Sequence, residues 1–99
     1  MLDVNRIKDV VVPLARKYGV RKIYLFGSYA RGEAEQNSDI DLKVDNGDHP
    51  IGLFALSGLR LEIREQLGKP VDLVTQGGLY ENVKKEIAKE EILLYECKE

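Results

Sequence analysis

The chain has few of the residues that covalent cross-links and thiolate metal sites require. Its 99 residues include one cysteine, Cys97, and one histidine, His49. A lone cysteine excludes an internal disulfide and a cysteine-based zinc site. Because Pro50 follows His49 and a predicted helix begins soon after, we expect this histidine in an exposed turn rather than in a catalytic role.

Long apolar runs and an excess of positive charge are also missing. No segment approaches the length that crosses a membrane, and the first residues lack the charged and apolar regions of a signal peptide. We therefore expect a cytoplasmic protein without membrane contact. The 15 Lys and Arg residues against 17 Asp and Glu give a formal net charge of −2. Domains that follow a phosphate backbone are usually basic, so direct nucleic-acid binding is not expected.

The overall composition is that of one small globular domain. Hydrophobic residues make up 43% of the chain and charged residues 32%, which are ordinary values for such proteins. The length suits a single domain over residues 1–99, with one modest core and one site. We expect no second, substrate-binding domain.

Hydrophobic periodicity divides the chain into alternating helices and strands. The predicted elements are helices over 3–18, 51–67 and 79–90, and strands over 20–26, 39–44 and 71–75. Residues 92–95 fit either a short strand or a final helical turn. Pro13 is expected to kink or divide the first helix near Val12. The inward stripe of the second helix is expected to begin at Leu53. The charged residues of the third helix are expected to form a solvated face or, alternatively, the surface that contacts a partner.

A Gly-Ser pair, Gly27 and Ser28, follows the apolar segment 22–26, which is typical of a short buried strand. A tight turn of small residues lets backbone N–H groups approach phosphate oxygens closely. Arg31 lies in the same turn and can contact a phosphate, contact a partner, or remain a surface arginine. The pattern predicts a phosphate-binding turn at Gly27, Ser28 and Arg31.

Three carboxylates follow at strand positions. Ten residues separate Ser28 from Asp39, and Asp41 comes two residues later; Asp72 lies in the next apolar strand. Strand alternation places Asp39, Asp41 and Lys43 on one face. Clustered carboxylates repel one another unless a cation joins them, and magnesium prefers oxygen ligands. Lys43 could touch a phosphate, but a solvated lysine near the strand end is the preferred interpretation.

These carboxylates suit a two-metal site. Two ions about 3.5–4 Å apart stabilise both the attacking and the leaving oxygen of a displacement at phosphorus. We predict that Asp39 and Asp41 hold both Mg²⁺ ions. Asp72 would complete the shell of the ion that binds the attacking hydroxyl, and would help to remove its proton. Gly27 and Ser28 would then hold the β- and γ-phosphates, which leave as pyrophosphate.

With these motifs the chain resembles the minimal nucleotidyltransferases of the DNA polymerase β superfamily. The resemblance is carried by LFGSYARG at 25–32, SDIDL at 38–42 and PVDLVT at 70–75. It implies an α/β (α+β) nucleotidyltransferase fold, with a small mixed β-sheet and helices packed on one side. It maps the metal-binding carboxylates of the family onto Asp39, Asp41 and Asp72, and its Gly-Ser onto Gly27 and Ser28.

Small free-standing members of this family resemble the antitoxin partners of toxins that carry a HEPN domain. The resemblance implies a protein adenylyltransferase that transfers AMP from ATP to a tyrosine of such a toxin, within a hetero-oligomer. The small size agrees, because in-line transfer needs a positioned acceptor and so short a chain has little surface to build an acceptor pocket. Two alternatives stay open: a non-catalytic binding module that occludes its partner, and, less favoured, nucleotidyl transfer to a small molecule or an RNA end.

Overall fold

A computed structural model describes residues 2–98. The chain alternates helices and strands in the order α1 (Val4–Lys17), β1 (Lys22–Phe26), α2 (Gly27–Arg31), β2 (Ile40–Asp45), α3 (Leu53–Leu67), β3 (Val71–Thr75), a 3-10 turn (Gln76–Gly78), α4 (Glu81–Ala88) and β4 (Ile92–Glu96). The ambiguous segment near the end is therefore a strand. No helix in the described range is long and apolar enough to span a membrane.

The four strands form one mixed sheet in the order β3-β2-β1-β4. β1 runs antiparallel to both β2 and β4, while β2 and β3 are parallel and are joined through α3, as a parallel connection requires a crossover. The sheet confirms the predicted fold class. Its register pairs Phe26 with Asp41 and Asp41 with Asp72. The end of β1 thus lies beside the starts of β2 and β3, where the predicted site residues occur.

The core lies between one face of the sheet and the helices α1 and α3. Alternate strand residues point into it and are fully or almost fully buried: Ile23, Leu25, Ile40, Leu42 and Val44. The helices contribute residues at helical spacing, among them Ile7, Val11, Leu59 and Ile63. Since strand side chains alternate between faces, the side chains of Asp41 and Lys43 must emerge on the opposite face. We call that side of the sheet the acidic face.

The first helix corrects the prediction for Pro13. Asp3 caps it by accepting a hydrogen bond from the Arg6 N–H at 2.9 Å, and the helix then runs unbroken to Lys17. The predicted division near Val12 is wrong. Pro13 removes one backbone hydrogen bond, but it lies on the exposed side of the helix, where water can satisfy the freed carbonyl.

The second and third long helices are shorter than predicted. Leu53, expected to face inward, is 76% exposed at the first position of α3, so that part of the predicted stripe is wrong. Its buried stripe begins with Leu59. Helix α4 ends at Ala88 rather than at residue 90. Because the helix ends early, Glu90 and Glu91 lie in the turn before β4, where their side chains contact the acidic face.

Candidate active site

The site begins where β1 turns into α2. Gly27 follows the last strand residue, Phe26, and has a positive φ of 76°, a conformation that favours glycine because a Cβ would be strained. Gly27 is buried and its backbone lies directly against the Asp41 side chain. Gly27, Ser28 and Arg31, predicted as a phosphate-binding turn, all line the same cavity.

The three carboxylates come from the starts of two neighbouring strands. Asp41 lies in β2 and is the register partner of Asp72 in β3, while Asp39 directly precedes β2. Asp39 and Asp72 are exposed, and Asp41 is half-buried. Burial raises the pKa of Asp41 from its ordinary value of 3.8 to about 6, and the Asp72 and Asp39 carboxylates add to the shift. The structure therefore brings the three acidic groups close enough to repel one another.

The residues fit magnesium only as part of a larger ligand set. Across residues 2–98, no three carboxylate, imidazole or thiol groups converge closely enough to enclose a metal ion. Magnesium is commonly held by one or two carboxylates together with water and substrate phosphates. Burial and the neighbouring carboxylates Asp72 and Asp39 raise the pKa of Asp41, and the charge of Arg31 only partly offsets them. Asp39, Asp41 and Asp72 thus suit ions that arrive with a nucleotide. The two-ion arrangement stays a prediction.

A cavity of about 590 Å³ opens over the acidic face between α2 and α4. Asp41, Gly27, Ser28 and Arg31 line one side, and the α4 side is formed by Val83, Glu86, Ile87 and Glu90. Its volume lies in the range of small-molecule sites. Another cavity, of about 530 Å³, lies at the far ends of β2 and β3 between 44–51 and 75–77. That second cavity contains none of the predicted site residues, so the chemistry favours the first.

Glu90 is the site residue that the sequence did not reveal. Its Oε1 accepts a hydrogen bond from the Gly27 N–H at 3.1 Å, and its two carboxylate oxygens accept bonds from Arg31 Nη1 at 3.2 and 3.0 Å. The hydrogen bond from Arg31 holds the pKa of Glu90 below its usual value. Arg31 also donates from Nε to Glu33 at 2.7 Å. The sequence offered no signal, because Glu90 lies within a run of charges typical of a solvated helix face.

Lys43 shares the acidic face but is not a solvated lysine, so the preferred interpretation of this residue is wrong. The residue is 3% exposed. Its ammonium group forms an ion pair with Glu91 and lies 4.6 Å from the centre of the Tyr24 ring, an arrangement in which a cation is attracted to an aromatic face. Lys43 therefore fastens the turn that carries Glu90 and Glu91 onto the sheet.

With this geometry in place, comparison with known proteins decides the family. Residues 7–95 match the nucleotidyltransferase domain family. The chain belongs to this family. It is similar to the protein adenylyltransferase MntA of Thermococcus cleftensis, with 35% identity over 94 residues that cover 91% of this chain and 94% of the relative. A candidate protein adenylyltransferase of Methanocaldococcus jannaschii is 37% identical over 91 residues, which cover 92% of this chain and 97% of the relative.

A solved structure shares the fold of this nucleotidyltransferase. A chain in a crystal structure of a toxin–antitoxin with AMP-PNP superposes with a TM-score of 0.77 at 27% identity, covering 92% of this chain and 74% of that chain. The fold that the motifs implied is therefore the fold of this nucleotidyltransferase.

Proposed function

We propose that this nucleotidyltransferase transfers AMP from ATP to a tyrosine hydroxyl of a partner HEPN-domain toxin and so silences it as an antitoxin. The observation that carries the proposal is the contact of Gly27 with the Asp41 side chain, whose register partner Asp72 lies at the same end of the sheet. Relatives at 35% and 37% identity bear the adenylyltransferase name. The toxin–antitoxin structure similar to this chain contains AMP-PNP, which supports both an ATP-like substrate and a protein partner.

The triphosphate would lie in the cavity beneath α4. The Gly27 N–H and the Arg31 guanidinium both donate hydrogen bonds to the carboxylate of Glu90, which shows that they can bind an anion. Ser28 lines the same wall of the cavity. Asp39 and Asp41 would hold Mg²⁺ together with phosphate oxygens. Bound there, the ions would neutralise the triphosphate and favour ionisation of the attacking hydroxyl.

The transfer is an in-line displacement at the α-phosphorus. The tyrosine oxygen forms a bond to that phosphorus while the bond to the bridging oxygen breaks, and pyrophosphate leaves with the electron pair. The hydroxyl proton passes to the Asp72 carboxylate. Asp72 is exposed at the edge of the acidic face, so a hydroxyl presented by another protein could reach it.

The alternative is a binding module that neutralises its partner by occlusion. One observation favours it: the donors expected to hold phosphate, Gly27 N–H and Arg31, are already bonded to Glu90, as they would be in an idle site. The clustered carboxylates weigh against this alternative, because burying Asp41 beside Asp72 and Asp39 raises its pKa and gives no structural benefit.

The deciding experiment is an intact-mass spectrum of the protein encoded by the neighbouring gene, as the candidate toxin, after incubation with this protein, ATP and Mg²⁺. We expect a gain of whole AMP units, absent with the Asp39→Asn, Asp41→Asn protein. Asp48→Asn is the matched control, since Asp48 is an exposed carboxylate at the opposite end of β2. A stable complex with no mass gain would reject transfer and favour occlusion. Full neutralisation of the toxin in cells by the Asp39→Asn, Asp41→Asn protein would do the same.

A further inference from the structure

The carboxylate of Glu90 stands where an anionic ligand would bind. It accepts hydrogen bonds from the buried Gly27 N–H and from Arg31 Nη1. Gly27 lies 63 residues before Glu90 in the sequence, and Arg31 lies 59 residues before it. A carboxylate and a phosphate present similar charged oxygens to such donors, and charge-assisted hydrogen bonds of this kind are strong. A nucleotide phosphate and Glu90 cannot both occupy these donors in the same geometry.

The segment that carries Glu90 is held from the side and not through Glu90 alone. The backbone N–H of Glu90 donates to the Ile87 carbonyl at 3.0 Å, and the backbone N–H of Glu91 donates to the same carbonyl at 2.9 Å. The side chain of Glu91 is fixed by buried Lys43, and Ile87 is itself buried. Glu90 can therefore release Gly27 and Arg31 by side-chain rotation while the turn stays anchored through Glu91.

We propose that Glu90 is an internal competitor for the nucleotide phosphates: it closes the phosphate donors in the free protein and must leave them for nucleotide to bind. The proposal rests on the proposed function, because the displaced group is taken to be replaced by a triphosphate. It assigns two states to the site, one closed by Glu90 and one open. Apparent nucleotide affinity then falls in proportion to the open fraction.

The first test measures the binding of AMP-PNP with Mg²⁺ by titration calorimetry. Glu90→Gln keeps the side-chain size and removes the charge, so we expect the dissociation constant to fall by about fivefold or more as the closed state loses its charge-assisted bonds. Glu86→Gln is the matched control. Glu86 lines the same cavity, but its carboxylate pairs with Lys89 at 3.1 Å, and we expect no more than about a twofold change from general electrostatics.

The possible outcomes separate the mechanism from simpler effects. If AMP-PNP binds more tightly to both variants by the same factor, the cause is the loss of negative charge in the cavity, and the proposal is overturned. Weaker binding by Glu90→Gln would also overturn it, because Glu90 would then help to hold the nucleotide or its ions. An unchanged constant would show that Glu90 does not compete.

A second readout separates failure of this proposal from failure of the proposed function. The ¹⁵N–¹H signal of the Gly27 amide is followed during titration with inorganic pyrophosphate, which requires no AMP transfer. We expect the signal to move at lower pyrophosphate concentration in Glu90→Gln than in the unmodified chain. That result would uphold competition even if no protein tested bound AMP-PNP, whereas identical titrations would reject competition even if the toxin were adenylylated.

Discussion

The α-carbon of Gly27 lies against the carboxylate of Asp41. A Cβ added at Gly27 would lie 3.0 Å from Asp41 Cγ and closer still to Oδ2. Two separate features thus demand glycine here, the positive φ and the lack of room. The contact joins the predicted phosphate-binding turn to the predicted metal-binding strand, so a change at one must move the other.

Replacing this glycine should damage activity more than stability. Gly27→Ala and Gly32→Ala both place a Cβ on a left-handed residue, with φ of 76° and 73°, at a cost of about 1–2 kcal/mol each. Gly32 has open space where its Cβ would lie. Only Gly27→Ala should therefore displace Asp41, and we expect it to reduce AMP transfer by about 100-fold. Denaturant unfolding and transfer rates measured on both variants check this, and equal loss of transfer in the two would contradict it.

The second prediction concerns the dependence of stability on pH. The pKa of Asp41 is higher in the folded chain, about 6, than its ordinary value of 3.8. Its contribution to stability is therefore full below about pH 4 and is lost as the pH rises through about 6. Asp41→Asn removes that loss and should stabilise the metal-free protein at pH 8 by on the order of 1 kcal/mol, since solvent screens this half-exposed group, while it abolishes transfer.

Thermal melting at several pH values without divalent cations tests this stabilisation. The gain of Asp41→Asn should stay nearly constant while the pH is well above 6 and should shrink as the pH falls through about 6 toward 4.5. Asp48 is an exposed carboxylate far from the cluster, so Asp48→Asn should change the melting temperature little at pH 8 or at pH 4.5. A gain of the same size at pH 8 and at pH 4.5 would show that the raised pKa of Asp41 is not its cause.

The third prediction concerns the buried ion pair of Lys43 and Glu91. Removing one partner leaves the other charge without compensation in a poorly hydrated position, so Lys43→Met should destabilise the fold by about 3 kcal/mol. The Lys43→Met, Glu91→Gln double variant should recover part of that loss. The pair of Lys22 and Glu96, at 3.6 Å and with both side chains well exposed, serves as the control.

Double-mutant cycles in urea measure the coupling within each pair. We expect more than 1 kcal/mol for the buried pair and about 0.5 kcal/mol or less for the exposed one. If the two coupling energies are equal, Lys43 does not anchor the turn that carries Glu90. The turn would then not be held in place while the Glu90 side chain moves.

Local patterns predicted most of what surrounds the candidate site. The Gly-Ser turn, the alternation of β2 and the later Asp72 were each visible over a few residues, and the sheet register brings Gly27, Asp41 and Asp72 to one edge. Their roles in binding and transfer remain proposals. The errors came from context that periodicity does not contain, such as the solvent-facing side on which α1 tolerates Pro13.

By itself, the sequence determined the alternation of helices and strands and indicated the residues that a nucleotide site would use, because side-chain alternation and tight turns are set by neighbours in the chain; the mixed sheet was implied by the family resemblance. Only the tertiary structure decided how those residues are held. Lys43 becomes buried because the turn after α4 folds over it and supplies Glu91. Glu90 reaches Gly27 and Arg31 across about two thirds of the chain, and no local pattern encodes a contact between residues so far apart.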